Sequence, residues 1–376
     1  MRDRLLTSPD FQARAARTWW LRPIVRRRAR GLFDLVAGFV YTQVLLACVR
    51  LNLFDILATA PASAAELAPR IDLPLDATER LLAAAAALEL LEPRGSGRFG
   101  LGRLGAPMVG NAAVAAMIEH HASVLYADLH DPVALLRGGG EPAAMSRYWA
   151  YAGTAAPGEL AAREVGDYSA LMSASQPLVA EQVLDAVSLK GHRCLLDVGG
   201  GEGRFLLAAA RRAPALQLLL FDLPAVVAKA NAAFAAAGLS HRARVAGGDF
   251  LRDALPHGAD IASLIRVIYD HPDARAAAIL RAVHDALPPG GTLLLAEPMA
   301  GAAGAARMGD AYFNFYLLAM RGGRARTAAE LAKLVSSAGF EKVREIPTAI
   351  PLQVGVLVAR KPLLPSPSKA PRDFPL

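Results

Sequence analysis

Beyond Lys190 the chain alternates short, continuous apolar runs with longer alanine-rich stretches, the pattern of strands that cross to helices and return. CLLDV, LQLLLFD, RARVAGGD, IASLIRVI, GTLLLAE, VREIP and GVLVAR are the strand candidates, and the stretches between them predict helices on both faces of a doubly wound sheet. The first half is patterned differently. From Gly31 to Leu57 apolar residues recur at helical intervals, predicting one or two buried helices. In SAAELA, Ser63 stands three residues before Glu66, a capping-box start, and Asp76 to Leu91 supplies another helix. RFGLG, from Arg98 to Gly102, then reads as a small hairpin wing.

Length and composition add modest limits. The 376 residues are enough for two domains. The apolar stretch around Leu35 to Val49 is interrupted by Thr42 and Gln43, so no membrane-spanning helix is expected, and MRDRLL has no signal core; a cytoplasmic protein is expected. Cys48 and Cys194 fit neither a disulfide framework nor a metal-ligand spacing, and no metal site is expected. The net charge of +7 is modest, but Arg22, Arg26, Arg27, Arg28 and Arg30 crowd beside Trp19 and Trp20. Arginine interleaved with tryptophan suits the surface of an anionic membrane, giving an expected peripheral contact; a solvated helix face is the plainer alternative.

The chemistry centres on LLDVGGGEG, Leu195 to Gly203, with Asp222 about 20 residues on in LFDLP. An apolar run ending in an acid and a glycine turn, with a second acid after the next strand, opens a nucleotide-binding βαβ unit. A dinucleotide fingerprint requires G-x-G-x-x-G, yet the third glycine position is Arg204 counted from Gly199 and Leu206 counted from Gly201. What remains suits S-adenosylmethionine, which offers an amino group to a carboxylate and has no pyrophosphate to cradle. The competing reading is a tight glycine turn between a buried strand and a helix.

A helical unit followed by a wing suggests DNA binding. The second helix of that unit, Thr78 to Glu89, has few side chains able to read bases or grip phosphates, so subunit pairing is expected and nucleic acid is not. Met117 to Met172 carries histidine and aromatic residues at helical spacing. His120, Tyr126, Tyr168 and Met172, with Phe313 and Met320 later in the chain, are expected to wall an apolar pocket, although such patterns also form plain core.

DVGGGEG, FDLP, GGDF, RVIYDHPD, LLLAEPM and RTAAELAKLVSSAGF occur in the order found in small-molecule O-methyltransferases of the plant caffeate and bacterial polyketide type. The chain resembles that family over nearly its whole length. With TWWLRP and the Phe33 to Leu57 stretch it resembles in particular the carotenoid branch, the hydroxyneurosporene (demethylspheroidene) O-methyltransferases of purple bacteria. The resemblance implies an α/β fold: a C-terminal Rossmann-like class I methyltransferase domain (189–362) behind an N-terminal all-α, winged-helix-like dimerisation domain (1–110). A helical pocket segment (111–188) and a disordered tail (363–376) complete the expected organisation. It implies a homodimer, S-adenosyl-L-methionine as cofactor and a hydrophobic small-molecule acceptor, for which a carotenoid with a tertiary 1-hydroxyl is the leading expectation. Methylation of a phenolic or polyketide hydroxyl, or of a tetrapyrrole ring carbon, is the alternative within enzymes; a winged-helix regulator and an inactive scaffold are rivals outside them.

Carried over by position, the resemblance implies that Asp197 and the turn Gly199, Gly200, Gly201 and Gly203 hold the methionine end of the cofactor, Asp222 the ribose hydroxyls, and Asp249 and Phe250 the adenine, with Leu223 and Arg266 also in the cofactor site. Asp249 also reads as a plain turn residue after two glycines. Phenol-methylating relatives carry a histidine base in the pattern L-H-D-W. Here the matching residues are Ile268, Tyr269, Asp270 and His271, so that base is missing. Tyr269 and His271 are the candidates to orient the acceptor or take its proton, His271 also reading as a surface turn residue. Glu297 and Glu330 match the acids that flank the histidine in relatives.

Overall fold

The computed structural model describes residues 2–138, 144–145, 175–351 and 353–363. Tyr168 and Met172, expected in the pocket wall, and the tail from residue 364 lie outside the described residues. The chain divides into compact units 1–119 and 120–376, so the boundary cuts through the segment 111–188 that the sequence pattern set apart.

In the first unit the helix Arg22–Arg50 runs for 29 residues and is followed by Leu53–Thr59. Only its last turns enter the core, where Cys48 packs with Leu53, Phe54, Leu57, Leu82 and Leu91. Its middle is bare: Leu32, Phe33, Leu35, Val36, Phe39 and Val40 are exposed, where the sequence pattern predicted burial. By length and composition this helix is also apolar enough to cross a membrane, which corrects the expectation that none would be. Asp34, Thr42 and Gln43 break the apolar run residue by residue but are diluted over five helical turns. Ser63 and Glu66 form the expected reciprocal capping box. The alanine-rich helix Leu75–Ala87 buries Thr78, Leu82 and Ala85, one stripe at i, i+4 and i+7, and so serves packing. Leu91–Arg94 and Arg98–Leu101 form the antiparallel wing, joined by Ala62–Ser63.

The second unit is built on a seven-stranded sheet. Its strands are β1 (Cys194–Val198), β2 (Gln217–Asp222), β3 (Ala243–Gly247), β4 (Ile261–Ile265), β5 (Thr292–Glu297), β6 (Glu341–Ile346) and β7 (Gly355–Arg360), in the spatial order β6-β7-β5-β4-β1-β2-β3. Strands β1 to β5 pair in parallel and β7 runs antiparallel between β5 and β6. Every residue of β4 and β5 is buried, because helices cover both faces and remove any reason for polar alternation. Two apolar layers, one around Leu264, Leu280 and Leu295 and one around Leu195, Phe205 and Leu218, sandwich the sheet. The chain leaves β3 at one edge and re-enters at β4 on the far side of β1. That reversal opens a crevice at the carboxyl ends of β1 and β4, the position where open α/β sheets bind ligands.

Candidate functional site

The carboxyl ends of β1, β2, β4 and β5 each deliver a polar residue to this crevice. Asp197, one residue before the end of β1, is 1% exposed. Ser263 on β4 donates its hydroxyl to Asp197 Oδ1 at 2.6 Å, while Oδ2 is buried without a hydrogen-bond partner. Burial raises this carboxyl to about 7, the Ser263 hydrogen bond opposes the rise, and the neighbouring Asp222 adds to it.

The glycine turn follows directly. A Cβ at Gly200 would lie 2.7 Å from Asp197 Oδ2, so a side chain there would displace the carboxylate. Gly203 caps the helix Arg204–Arg212 at φ +79°, where a Cβ would also strike the Phe234 ring. Between them the Gly201 N–H donates to Asp222 Oδ2 at 2.7 Å, and the Leu223 N–H donates to Asp222 Oδ1 at 2.7 Å. Burial raises the Asp222 carboxyl, and these two backbone donors hold it down. Asp222 thus fixes the turn and still has one lone pair per oxygen for hydroxyl donors.

Beyond β3, Asp249 is buried and shapes its own loop: its Oδ1 accepts the Leu251 N–H at 2.9 Å and its N–H donates to Asp253. Phe250 meets the His271 ring edge-on, with centroids 5.5 Å apart. At the end of β4, Arg266 takes a left-handed φ of +58° while its N–H donates to Ala296 O. Its guanidinium donates to Ser175 Oγ and Gln176 Oε1 of the helix 175–186, so this charge ties a helix to the crevice mouth.

Tyr269 and His271 lie on the turn after β4. Both are buried, which corrects the alternative reading of His271 as a surface residue. Burial, with Arg275 and Arg326 nearby, lowers His271 to about 4 and keeps it neutral at pH 7; its Nδ1 is buried without a partner. Because His271 faces Phe250 and Tyr269 packs edge-on against Phe313 at 6.0 Å, the two point toward different neighbours.

Two residues clamp this turn. Glu297 Oε1, at the end of β5, accepts the Val267 and Ile268 N–H groups at 3.1 and 2.7 Å, and burial raises its carboxyl to about 8 against these donors and Arg326. Arg326, itself buried, donates to the carbonyls of Ile268 and His271 and pairs with Asp273. Glu297 therefore positions the turn. Glu330 corrects the sequence expectation more sharply: it is the N3 residue of a capping box with Thr327, pairs with Arg324 at 2.8 Å and is half-exposed. The Thr327 donors and Arg324 lower it to about 2. An acid so engaged in a helix cap and a surface ion pair is structural, and it leaves the set of catalytic candidates.

The expected pocket residues His120, Tyr126, Phe313 and Met320 come together in the second unit, in an aromatic and apolar cluster that includes Tyr269. Two π-helical turns, His121–Leu125 and Arg307–Phe313, carry His121, Tyr312 and Phe313 of this cluster. His120 Nε2 meets Tyr316 Oη at 2.9 Å and His121 Nε2 meets Tyr312 Oη at 2.8 Å. Burial lowers both histidines to about 4 and pushes the Tyr312 phenol above its ordinary range. Ser263, Arg326, Tyr312 and Tyr316 were missed from the sequence. Ser263 alone carried a signal, as the polar residue inside the apolar run IASLI.

The donor set fits S-adenosylmethionine on its own terms. Asp197 offers an orphaned anionic oxygen to an ammonium group, and Asp222 offers lone pairs to ribose hydroxyls.

Comparison with known proteins defines the class. The O-methyltransferase domain family matches residues 126–341, and the O-methyltransferase dimerisation domain family matches residues 33–117. The chain belongs to the S-adenosylmethionine-dependent O-methyltransferase family and is an enzyme of that class. It is 44% identical to the demethylspheroidene O-methyltransferase of Cereibacter sphaeroides over 362 residues, covering 96% of this chain and 94% of that one. The enzyme of the same name from Rhodobacter capsulatus is 42% identical over 90% of this chain and 84% of that one. Among solved structures, a methyltransferase of calicheamicin biosynthesis in its SAH-bound form superposes with a TM-score of 0.73 at 27% identity, covering 89% of this chain and 98% of that one.

Proposed function

We propose that this chain, as a homodimer, transfers the methyl group of S-adenosylmethionine to the tertiary 1-hydroxyl of an acyclic carotenoid of the hydroxyneurosporene or demethylspheroidene kind, a step of spheroidene synthesis. The observation that carries the reading is the near full-length similarity to two demethylspheroidene O-methyltransferases.

The site chemistry supports it. When bound, the cofactor supplies an electrophilic methyl group on a sulfonium. Asp197 holds the amino group, Asp222 the ribose hydroxyls, and Asp249 with Phe250 the adenine. On the acceptor side Tyr269 takes the place where phenol-methylating relatives have a histidine base, and as a neutral phenol it orients the acceptor hydroxyl. A phenol of pKa ~10 is readily deprotonated by a nearby base, whereas a tertiary alcohol is far less acidic. The three buried histidines are weak bases: His271, His120 and His121 are all held near 4, while Glu297, raised to about 8 by burial, keeps its proton at neutral pH and spends Oε1 on the Val267 and Ile268 N–H groups. Rate would come from alignment of the acceptor hydroxyl, which Tyr269 would orient, and from exclusion of water during transfer, the hydroxyl proton passing to solvent once the methyl ether has formed.

The test is product analysis. The enzyme, methyl-labelled S-adenosylmethionine and either a 1-hydroxylated acyclic carotenoid or simple phenols are combined in detergent. A labelled methyl ether on the carotenoid is expected; label confined to phenols, or carried on a ring carbon, rejects the proposal.

A further inference from the structure

Between residues 11 and 30 the chain carries seven arginines and no aspartate or glutamate. All seven are exposed and none joins an ion pair among the described residues. The side-chain hydrogen bonds recorded for them go only to backbone carbonyls, from Arg14 to Asp10 O and from Arg22 to Arg17 O. Within this basic stretch Trp19 and Trp20 occupy the turn between the helices Pro9–Arg17 and Arg22–Arg50 and are 78% and 61% exposed. Two adjacent bare indoles leave a large apolar surface in water, since a tryptophan covers about 150–250 Å² when packed, and the arginines around them make a strongly positive surface. The dimerisation domain family begins at residue 33, where it takes in the exposed apolar face from Phe33 to Val40 and leaves residues 11–30 outside.

We propose that residues 11–30 form a docking surface for an anionic lipid bilayer, with the Trp19–Trp20 turn entering the headgroup layer and the arginines holding lipid phosphates. The arrangement on the helix supports the turn as the inserting element. Arg22, Arg26 and Arg30 make one stripe at i, i+4 and i+8, while Arg27 and Arg28 project from other sides, so this end of the helix has no clean apolar face to lay on a membrane. Tryptophan, with an apolar body and a polar N–H, settles at the membrane–water interface, and neighbouring arginine is attracted by anionic headgroups. Nucleic acid would satisfy the arginines as well. The exposed Ile24 beside the indoles, and the apolar surface that resumes at Leu32, favour lipid. A homodimer presents two such arms, so the second would bind at high effective concentration.

The test uses the full chain with vesicles of phosphatidylcholine alone or mixed with phosphatidylglycerol, read by co-sedimentation and by tryptophan emission. Binding is expected only on anionic vesicles, with a blue shift, and should weaken as salt rises from about 0.05 to 0.5 M. Each arginine near an anionic surface strengthens binding about fivefold, so Arg26→Gln/Arg27→Gln/Arg28→Gln should lose about a hundredfold. The matching triple change to lysine should retain binding, and Trp19→Ala/Trp20→Ala should bind weakly without the blue shift. S-adenosylhomocysteine affinity and thermal unfolding should be unchanged in all three, which separates lost docking from lost folding. Absence of binding to anionic vesicles, equal binding by wild type and the glutamine variant, or preference for duplex DNA over vesicles overturns the proposal.

Discussion

If Asp197 holds the amino group of the cofactor, as proposed, cofactor affinity is a function of pH. The Asp197 carboxyl is raised to about 7 in the free protein, chiefly by burial, so near neutrality about half the molecules carry it protonated. Only the ionised form attracts an ammonium group, so apparent affinity falls by the factor 1 + 10^(pKa − pH). This factor is about 1.3 at pH 7.5 and about 11 at pH 6, an expected loss of close to tenfold. Binding near pH 7 should also release about half a proton. Isothermal calorimetry with S-adenosylhomocysteine, in two buffers of different ionisation heat, measures both quantities. Asp197→Asn should bind more weakly and lose the pH dependence together with the proton release. Affinity that stays flat from pH 6 to 7.5 with no proton exchanged would refute the assignment, because the ligand would then be meeting a carboxyl that is already ionised or is not involved.

Glu330→Ala removes a capping box and an exposed ion pair, so urea unfolding should show a loss of about 1 kcal/mol with cofactor affinity and turnover unchanged. Glu297 is raised to about 8, so its contribution to stability is present below its unfolded value and is lost as pH rises toward 8; Glu297→Gln should gain on wild type steadily between pH 5 and 8.5 in thermal melts. Tyr269→Phe keeps the packing against Phe313 and removes the hydroxyl, so turnover at saturating acceptor should drop by about 10- to 100-fold with cofactor affinity intact. Unchanged turnover would take Tyr269 out of the mechanism. Phe39→Asp places a charge on the exposed apolar face of the long helix, and sedimentation should then report monomer.

The strands and the doubly wound class were legible because period and punctuation agree: the runs CLLDV, LQLLLFD and GTLLLAE are continuous where two helical layers cover them, and each carries a crevice residue in its last two positions, whereas the spatial order of the strands came from the structure. Asp197 was legible at a strand end just before the glycine turn, where a Cβ at Gly200 would meet its carboxylate, and Asp222 from its place at the end of the next apolar run about 20 residues on. What escaped was long-range. Arg326 reaches the Ile268 and His271 carbonyls across more than 50 residues of sequence, and Tyr312 and Tyr316 find their histidines across almost 200. Nothing local marks such pairs. Glu330 is the opposite case, because a local signal is present: Thr327 stands three residues before it, the same capping spacing that joins Ser63 to Glu66.

On the proposed assignment of a donor half and an acceptor half, the two halves of the crevice differ in charge, and that difference favours one kind of acceptor. On the donor side Asp197 and Asp222 repel each other in a buried setting, and burial raises both. A ligand bringing an ammonium and hydroxyl donors relieves that repulsion, so part of its binding energy is already stored in the free protein. On the acceptor side the same burial acts on bases. His120 and His121 are held near 4 and engaged with Tyr316 and Tyr312, so the wall stays neutral across the physiological range. A neutral, aromatic wall gives no stabilisation to a phenolate and excludes no hydrocarbon, so an uncharged alcohol on a long apolar chain is the better fit. It follows that the acid limb of the activity profile should track Asp197 near pH 7, with no second limb near 6.5 from a histidine base. An acid limb that survives Asp197→Asn and centres on 6.5 would restore a titrating histidine to the reaction.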